Sequence, residues 1–468
     1  MPHPASLTAT DTIAAIATAR GRAALAIVRV SGPAAVEVVA SCFRGADLRA
    51  VPSHTAHVGY LHDGHGHDLD QVVVTVFRAP RSATGEDVVE VSCHGGDVAP
   101  QLVLRTLLDH GARMARPGEF TQRAFLHGKL DLTQAEAVAD LIHASSTLAH
   151  RVSLNHLQGR YSAVLQQLRQ DLLELCALVE LELDFSEEDV EFADRERLEA
   201  LLAGADRLLG ELLASVHLGE VVRDGVRVVI GGRPNAGKST LLNALVGRDR
   251  AIVSDTPGTT RDEIEAEAEI EGLRFRFVDT AGLRETGDAI EAEGVRRARD
   301  AITRSDVLLY VYDVTAGLDA AEVAFLQDLR ARQPALPVLL VGNKADLAAD
   351  AAEAPPGLAL PVLPLSARQA THDATRLQPL VERLVDAVAA GLSEAEASPV
   401  VMNQRHRQHL RHAHAAVRRA RQALDAGTSG DTLALDLRAA LYQLGEITGE
   451  ITNEDVLDQI FSRFCIGK

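Results

Sequence analysis

The stretch from Arg227 to Val246 constrains this chain more than any other. A short apolar strand, Arg227–Gly231, runs into Gly232-Arg-Pro-Asn-Ala-Gly-Lys-Ser239, and the amphipathic run Thr240–Val246 follows. A strand, a glycine-rich loop and a helix in that order turn backbone N–H groups inward around phosphates, with the helix N-terminus behind them. The spacing assigns phosphate contacts to Asn235, Ala236, Gly237, Lys238, Ser239 and Thr240. Lys238 reaches the β- and γ-phosphates and Ser239 ligates Mg²⁺.

The elements that must accompany such a loop come next, in order. Ser254, Asp255, Thr256, Pro257, Gly258, Thr259 and Thr260 form a hydroxyl-rich loop, in which Thr260 is the second protein ligand of Mg²⁺ when the γ-phosphate is present. The apolar strand Phe275–Val278 runs into Asp279, Thr280, Ala281 and Gly282. Asp279 holds the metal through water, and the Gly282 N–H senses the γ-phosphate. Val338–Val341 leads to Asn343, Lys344, Ala345 and Asp346. A carboxylate at Asp346 accepts from both N1–H and the exocyclic amine of guanine, a donor pair that adenine lacks, so the expected nucleotide is GTP. Ser366, Ala367 and Arg368, after the strand-like Leu360–Leu365, close over the base edge; the following Gln-Ala-Thr-His-Asp-Ala-Thr differs from the glycine-containing turn usual there.

The rest of the chain frames this segment. At 468 residues it exceeds what one core usually supports. Residues 1–128 alternate β-rich runs (Ala24–Val30, Gln71–Phe77, Asp87–Cys93) with turns, which predicts an α+β domain. From 129 to 224 the pattern is helical, with Leu165, Leu168, Leu172, Cys176 and Val179 on one face. Strand and helix alternate through 225–391, predicting a helix-covered parallel sheet, and helical periodicity returns over 392–468. The expected architecture is therefore multidomain: an α+β N-terminal domain and a discontinuous α-helical domain, into which an α/β P-loop GTPase domain is inserted. Ala348–Gly357 is an Ala/Pro-rich loop with little to bury.

Charge and cysteines exclude several classes. A net charge of −19 rules out a general basic coat for nucleic acid, so any RNA contact is local or supplied by a partner. Cys42, Cys93, Cys176 and Cys465 are too scattered for a disulfide framework or a zinc motif, which points to a reducing compartment, the cytoplasm. Apolar runs stay below the roughly 18 residues of a membrane span, and the first residues lack the pattern of a signal peptide.

Several further motifs carry a resemblance. Gly258-Thr-Thr-Arg-Asp262 and Asp279-Thr-Ala-Gly-Leu-Arg284 recur in related bacterial GTPases. More specific are Thr84-Gly-Glu-Asp87, His94-Gly-Gly96, Ala115-Arg-Pro-Gly-Glu-Phe-Thr121, Lys129-Leu-Asp-Leu-Thr-Gln-Ala-Glu-Ala137 and the terminal Phe464-Cys-Ile-Gly-Lys468. With these the chain resembles, nearly end to end, the MnmE (TrmE) family of tRNA-modification GTPases. The resemblance implies a homodimer through the N-terminal domains and a flavoprotein partner, MnmG, in a heterotetramer. It also implies tRNA as substrate, with an aminomethyl or carboxymethylaminomethyl group installed at C5 of the wobble uridine. The carbon comes from a tetrahydrofolate derivative (5-formyl or 5,10-methylene), whose family contacts fall on Arg29, Glu90, Lys129 and Lys468. GTP hydrolysis is assisted by K⁺ bound to Asn235 and the loop holding Ser254, Thr256 and Thr259, and Glu291 aligns with the general base.

Other features admit more than one use. Cys465 fits a nucleophile, a redox-sensitive thiol, or a small apolar group packing the tail. His54, His57, His62, His65 and His67 lack a metal-binding spacing and are expected in an exposed polar loop. Arg405–Arg421 concentrates Arg and His on a helix, as a solvated face or as a surface for tRNA or a partner. The rival function is a ribosome-assembly or regulatory GTPase switch without one-carbon chemistry. Such a switch is expected to carry a basic RNA-binding module, and no Gly-X-X-Gly loop in a basic tail is present.

Overall fold

The computed structural model describes residues 11–184, 195–248, 265–279, 300–348, 358, 360–389, 399–426 and 430–468. They divide into two compact units, one of 1–142, 154–209 and 408–468, the other of 143–153 and 210–407.

The first unit opens with a seven-stranded sheet in the order β3-β4-β5-β6-β2-β1-β7. Its strands are β1 (Ile13–Ile16), β2 (Leu25–Ser31), β3 (Phe43–Arg44), β4 (Thr55–His62), β5 (Asp68–Phe77), β6 (Val88–His94) and β7 (Arg113–Met114). Alternation decides which face is covered. Val72, Val74 and Val76 of β5, with Val28 and Val30 of β2 and Val89 and Val91 of β6, pack on helices α1 (Ala35–Cys42) and α2 (Ala99–Asp109) through Val39, Val103 and Leu107. On the opposite face Ile13 and Ala15 of β1 pack under Phe120 of α3 (Glu119–Leu126). The neighbouring part of that face leaves Leu25, Val58, Tyr60 and Val73 exposed.

One sequence expectation is corrected here. His57 and His62 do not belong to a polar loop, because Thr55–His62 pairs antiparallel with β5; His54 stands exposed in the turn before that strand, and His65 and His67 lie in the turn after it, as expected. Gly59 and Leu61 of that strand are buried while Ala56, Val58 and Tyr60 are exposed, so apolar residues fall on both faces and mask the period. Among the described residues no cluster of His, Cys, Asp and Glu could hold a metal ion.

The helical part of this unit uses α4 (Leu132–His143), α6 (Arg160–Asp184) and α7 (Arg195–Ala214), with the later helices Gln404–Asp425, Gly430–Thr448 and Glu454–Phe461. Leu165, Leu168, Leu172, Cys176 and Val179 are all buried on one face of α6, as their spacing requires. The last helix drives Leu457, Phe461 and Phe464 against Leu132 and Ala135 of α4.

The second unit is a six-stranded sheet in the order β13-β12-β11-β8-β10-β9, parallel except for β9 (Glu265–Ile270) against β10 (Leu273–Asp279). β8 is Val226–Gly231, β11 Val307–Asp313, β12 Val338–Asn343 and β13 Val362–Pro364. A near-continuous apolar strand such as β11 is what a sheet covered on both faces demands. Leu309 and Val311 pack with Phe275, Phe277 and Leu241 on one side, and Leu308 and Tyr310 with Leu326 and Ile302 on the other. The start of α5 (Thr147–Leu157) docks on the β9–β10 hairpin, with the Leu148 N–H donating to the Gly272 carbonyl at 3.1 Å and Thr147 to Glu269 at 3.0 Å. Among the described residues no helix is long and apolar enough to cross a membrane.

Candidate functional site: a phosphate cradle and a docked tail

The nucleotide candidates gather at the C-terminal ends of adjacent parallel strands, where such sheets bind ligands. β8 leads into the glycine loop and the helix Lys238–Arg248. Asn235 takes a left-handed conformation at φ 63° within the loop, and Gly237 follows at φ 92°. A Cβ on Gly237 would lie 2.1 Å from Asn343 Nδ2, so only glycine lets the loop close at that point. Lys238 is buried and its Nζ donates to the Gly232 and Arg233 carbonyls at 2.9 and 2.8 Å, which curls the loop into a ring around the ammonium. Ser239 donates to Asp279 at 3.0 Å, bringing together a hydroxyl and a carboxylate of the kind that suit Mg²⁺.

The base-reading segment is tied to this cradle by Asn343. Its Nδ2 donates to the Ala236 carbonyl at 2.7 Å, and its Oδ1 accepts the Ala367 N–H at 2.9 Å, so one buried amide spans the phosphate loop and the Ser366–Arg368 segment. Lys344 is also left-handed, at φ 64°, and pairs with Asp313 at 2.6 Å. Burial pushes the Asp313 carboxyl up, but Lys344 and Thr315 outweigh it and hold the carboxyl below its usual range. Asp346 stands exposed on the short helix Ala345–Leu347. Ser366 caps the next helix by accepting the Gln369 N–H.

Two supports went unseen in the sequence. Asp313 does so at the end of a plain apolar strand, where its position beside Asn343 across β11 and β12 was the available signal. Arg233 pairs with Glu322 at 3.0 Å, while Tyr310 donates to the same carboxylate at 2.9 Å, anchoring the cradle from below. Ser254, Asp255, Thr256, Pro257, Gly258, Thr259, Thr260, Thr280, Ala281, Gly282 and Glu291 lie outside the described residues.

The second set of candidates lies on the far face of the N-terminal sheet. Arg29 and Glu90 are register partners on β2 and β6 and pair at 2.8 Å, both about one-fifth exposed. The Arg29 guanidinium also lies over the Phe120 ring, 5.8 Å from its centroid. The C-terminal tail arrives beside that ring. Phe120 N–H donates to the Lys468 main-chain oxygen at 3.2 Å, Gly118 N–H to the Cys465 carbonyl at 3.4 Å, and Pro117 bridges Ile466. Gly467, at φ 99°, lets the tail approach β1, since a Cβ there would lie 2.4 Å from the Ile16 carbonyl. Arg29, Glu90 and Lys468 are thus brought together around Phe120. Lys129 instead donates to the Pro80 carbonyl at 3.2 Å. Cys465 is exposed, whereas Cys42, Cys93 and Cys176 are buried.

Known proteins share both halves. Residues 12–129 match the family described as GTP-binding protein TrmE N-terminus, and residues 132–465 the MnmE helical domain. The tRNA modification GTPase MnmE of Salinibacter ruber is 70% identical over 458 residues, covering 98% of this chain and 99% of its own. Those of Cytophaga hutchinsonii and Chlorobium phaeobacteroides are 46% and 47% identical, each over 98% of this chain, covering 98% and 97% of their own lengths. A solved structure of Aquifex aeolicus Era aligns with 34% of this chain and 56% of its own at 28% identity, with a TM-score of 0.26. Full-length identity to these relatives and matches spanning both the N-terminal and helical segments lead to one conclusion: the chain is a GTPase of the MnmE family.

Proposed function

We propose that this GTPase acts on tRNA in the cytoplasm, working with an MnmG-type flavoprotein to install an aminomethyl or carboxymethylaminomethyl group at C5 of the wobble uridine. The observation that carries the reading is the seating of the tail, in which the Lys468 main chain meets Phe120 beneath the Arg29–Glu90 pair. The chemistry of that cluster fits a folate. Arg29 and Lys468 suit its acidic tail and Glu90 the amino-pteridine edge, and Lys129, bonded to the Pro80 carbonyl outside that cluster, is a further cation for the tail. A tetrahydrofolate derivative held there, 5-formyl or 5,10-methylene, supplies the one-carbon unit.

In the nucleotide site GTP lies in the Asn235–Thr240 cradle with Asp346 on the guanine. Ser239 and Thr260 hold Mg²⁺, with Asp279 acting through water. Asn235, with Ser254, Thr256 and Thr259, binds K⁺, whose charge serves where other GTPases use an arginine finger. Glu291 serves as general base. The exposed strip of Leu25, Val58, Tyr60 and Val73 supports a homodimer through the N-terminal sheets, which the flavoprotein completes as a heterotetramer.

Nucleoside mass spectrometry of tRNA from a strain lacking the chain tests this reading. The C5-modified wobble uridine is expected to disappear and to return with the intact gene but not with Lys238→Ala. An unchanged nucleoside profile in the deletion strain would overturn it.

A further inference from the structure

The helix Gln404–Asp425 reads QRHRQHLRHAHAAVRRARQALD, with six arginines, four histidines and one acid, Asp425, at its end. In a chain of net charge −19 this concentration is local and has to be explained by its surroundings. Its buried side is made of Leu410, Ala413, Val417 and Ala420. Its flanks are neutralised by the neighbouring helices. Asp206 of α7 takes His414 at 2.8 Å and Arg421 at 3.1 Å, and Asp436 of Gly430–Thr448 takes Arg419 at 2.8 Å.

The crest is left over. Arg411, His412, Ala415, Arg418 and Gln422 are exposed, and no acid stands among them; Arg419, also exposed, borders them on the flank that Asp436 neutralises. Arg411 and Arg418 are seven residues apart, so they lie on one line of the helix, about 10 Å from each other. His412 and Arg419 make a parallel line with the same spacing. Ala415 sits between the pairs, a short side chain that leaves a saddle between the guanidinium groups. Among the described residues Arg411 and Arg418 form no ion pair. Two guanidinium forks on one line, beside the Gln422 amide and with Asp206 and Asp436 already paired, can each take a separate phosphate of a nucleic-acid backbone.

The geometry points to this crest as a contact surface for the tRNA sugar–phosphate backbone, read by charge and shape and not by base. The assignment rests on the proposed tRNA substrate and names where the chain holds it. A local cationic ridge on a protein of net negative charge also helps to orient the polyanion.

The test is binding of unfractionated tRNA to the full chain across a salt series. Each phosphate contact contributes about 0.9 to the slope of log K against log salt, on the order of tenfold in affinity between ~1 M and ~0.1 M salt. Arg411→Gln with Arg418→Gln is expected to weaken binding by about tenfold or more and to flatten the slope by about two. Arg411→Lys with Arg418→Lys should keep the slope. Arg105→Gln with Arg383→Gln, two exposed arginines on other helices, matches the charge change and should leave both values alone. GTP turnover stays at its basal rate in all three. An unchanged slope in the glutamine variant, or equal loss in the lysine variant, would overturn the surface. So would lost flavoprotein binding with tRNA affinity intact. The nucleoside profile of the deletion strain remains a separate readout. Loss of the modification there, together with an unchanged slope here, removes this surface and leaves the tRNA reading standing.

Discussion

The nucleotide cradle and the tail-built cluster are assembled by opposite strategies. Every described nucleotide candidate sits at, or in the loop or helix just beyond, the C-terminal end of one of four parallel strands, β8, β10, β12 and β13, so the sheet itself aligns them. Arg29 and Glu90 come from an early and a middle strand paired in register, and only a docked tail brings the last residue, Lys468, to them. The first site is held by its secondary structure, the second by a tertiary closure. The two should therefore fail independently.

The largest expected effect separates them outright. Deleting Cys465–Lys468 removes the main-chain bonds to Gly118 and Phe120 and should abolish wobble-uridine modification, with weaker binding of a stable folate analogue by calorimetry. GTP hydrolysis by the same variant should stay near normal. Full folate affinity in the truncated chain would return Cys465 to a packing role.

The next effect lies wholly within the cradle. Asn235→Ala should remove stimulation of GTP turnover by K⁺, Rb⁺ and NH₄⁺, a loss on the order of the 10³ that a finger's charge supplies. GTP binding should be nearly intact, because Lys238 keeps its ring of carbonyls. Equal wild-type rates in Na⁺ and K⁺ would eliminate the cation from the mechanism. In the same site, Asp346→Asn should shift preference from guanine toward xanthine, measured by competition.

Core packing gives a smaller, symmetrical pair. Phe461→Ala leaves a cavity against Leu132 and Phe464 and should cost about 3–5 kcal/mol in the unfolding of the tail's own unit. Phe277→Ala should cost a similar ~3–5 kcal/mol beneath the cradle and lower GTP affinity instead. Denaturant melts with folate-analogue and GTP binding as readouts distinguish them. Loss of both bindings in either variant would mean that the sites are not independent.

This difference also explains what the sequence disclosed. The cradle was legible because each motif is contiguous and its flanking strand is apolar, so β8, β10 and β12 fell where Arg227–Gly231, Phe275–Val278 and Val338–Val341 stand. The strut role of Asn343 was not, since nothing local says that an amide after β12 will reach the Ala236 carbonyl. The tail cluster was reachable only through the family's motifs. Composition marks Arg29 and Glu90 as two surface charges on separate strands, and their pairing depends on β2–β6 register. β4 escaped because apolar residues fall on both of its faces, and the docking of Thr147 and Leu148 on the β9–β10 hairpin has no signal in helical periodicity.

The smallest expected effect concerns the ionic network that holds the tail's landing loop. Arg123 is buried and donates to Asp11 at 2.7 Å, Glu86 at 3.1 Å and Glu119 at 3.2 Å. Glu119 also takes Arg113 at 2.5 Å and the Arg116 N–H at 2.8 Å, which fixes the turn whose Gly118 meets Cys465. Burial pushes the Glu119 carboxyl up, but Arg113 and the Arg116 N–H more than reverse it, so the group titrates below its ordinary range. The Arg113 hydrogen bond, against burial and helped by Arg123, does the same for Asp11. Both carboxyls bind protons more readily in the unfolded chain. Their stabilisation is therefore complete above the ordinary carboxylate range and is lost as pH falls through the depressed folded values. Scanning calorimetry should show a flat melting temperature from neutral pH to about pH 5 and a fall below about pH 4 for the unit that carries the tail. Glu119→Gln should lower the plateau, because the buried Arg123 loses a partner, and should also make the acid fall shallower. GTP affinity should not follow either change. An acid limb of wild-type steepness in Glu119→Gln would show that the landing loop is held by packing around Phe120 and Phe464, with the charges as bystanders.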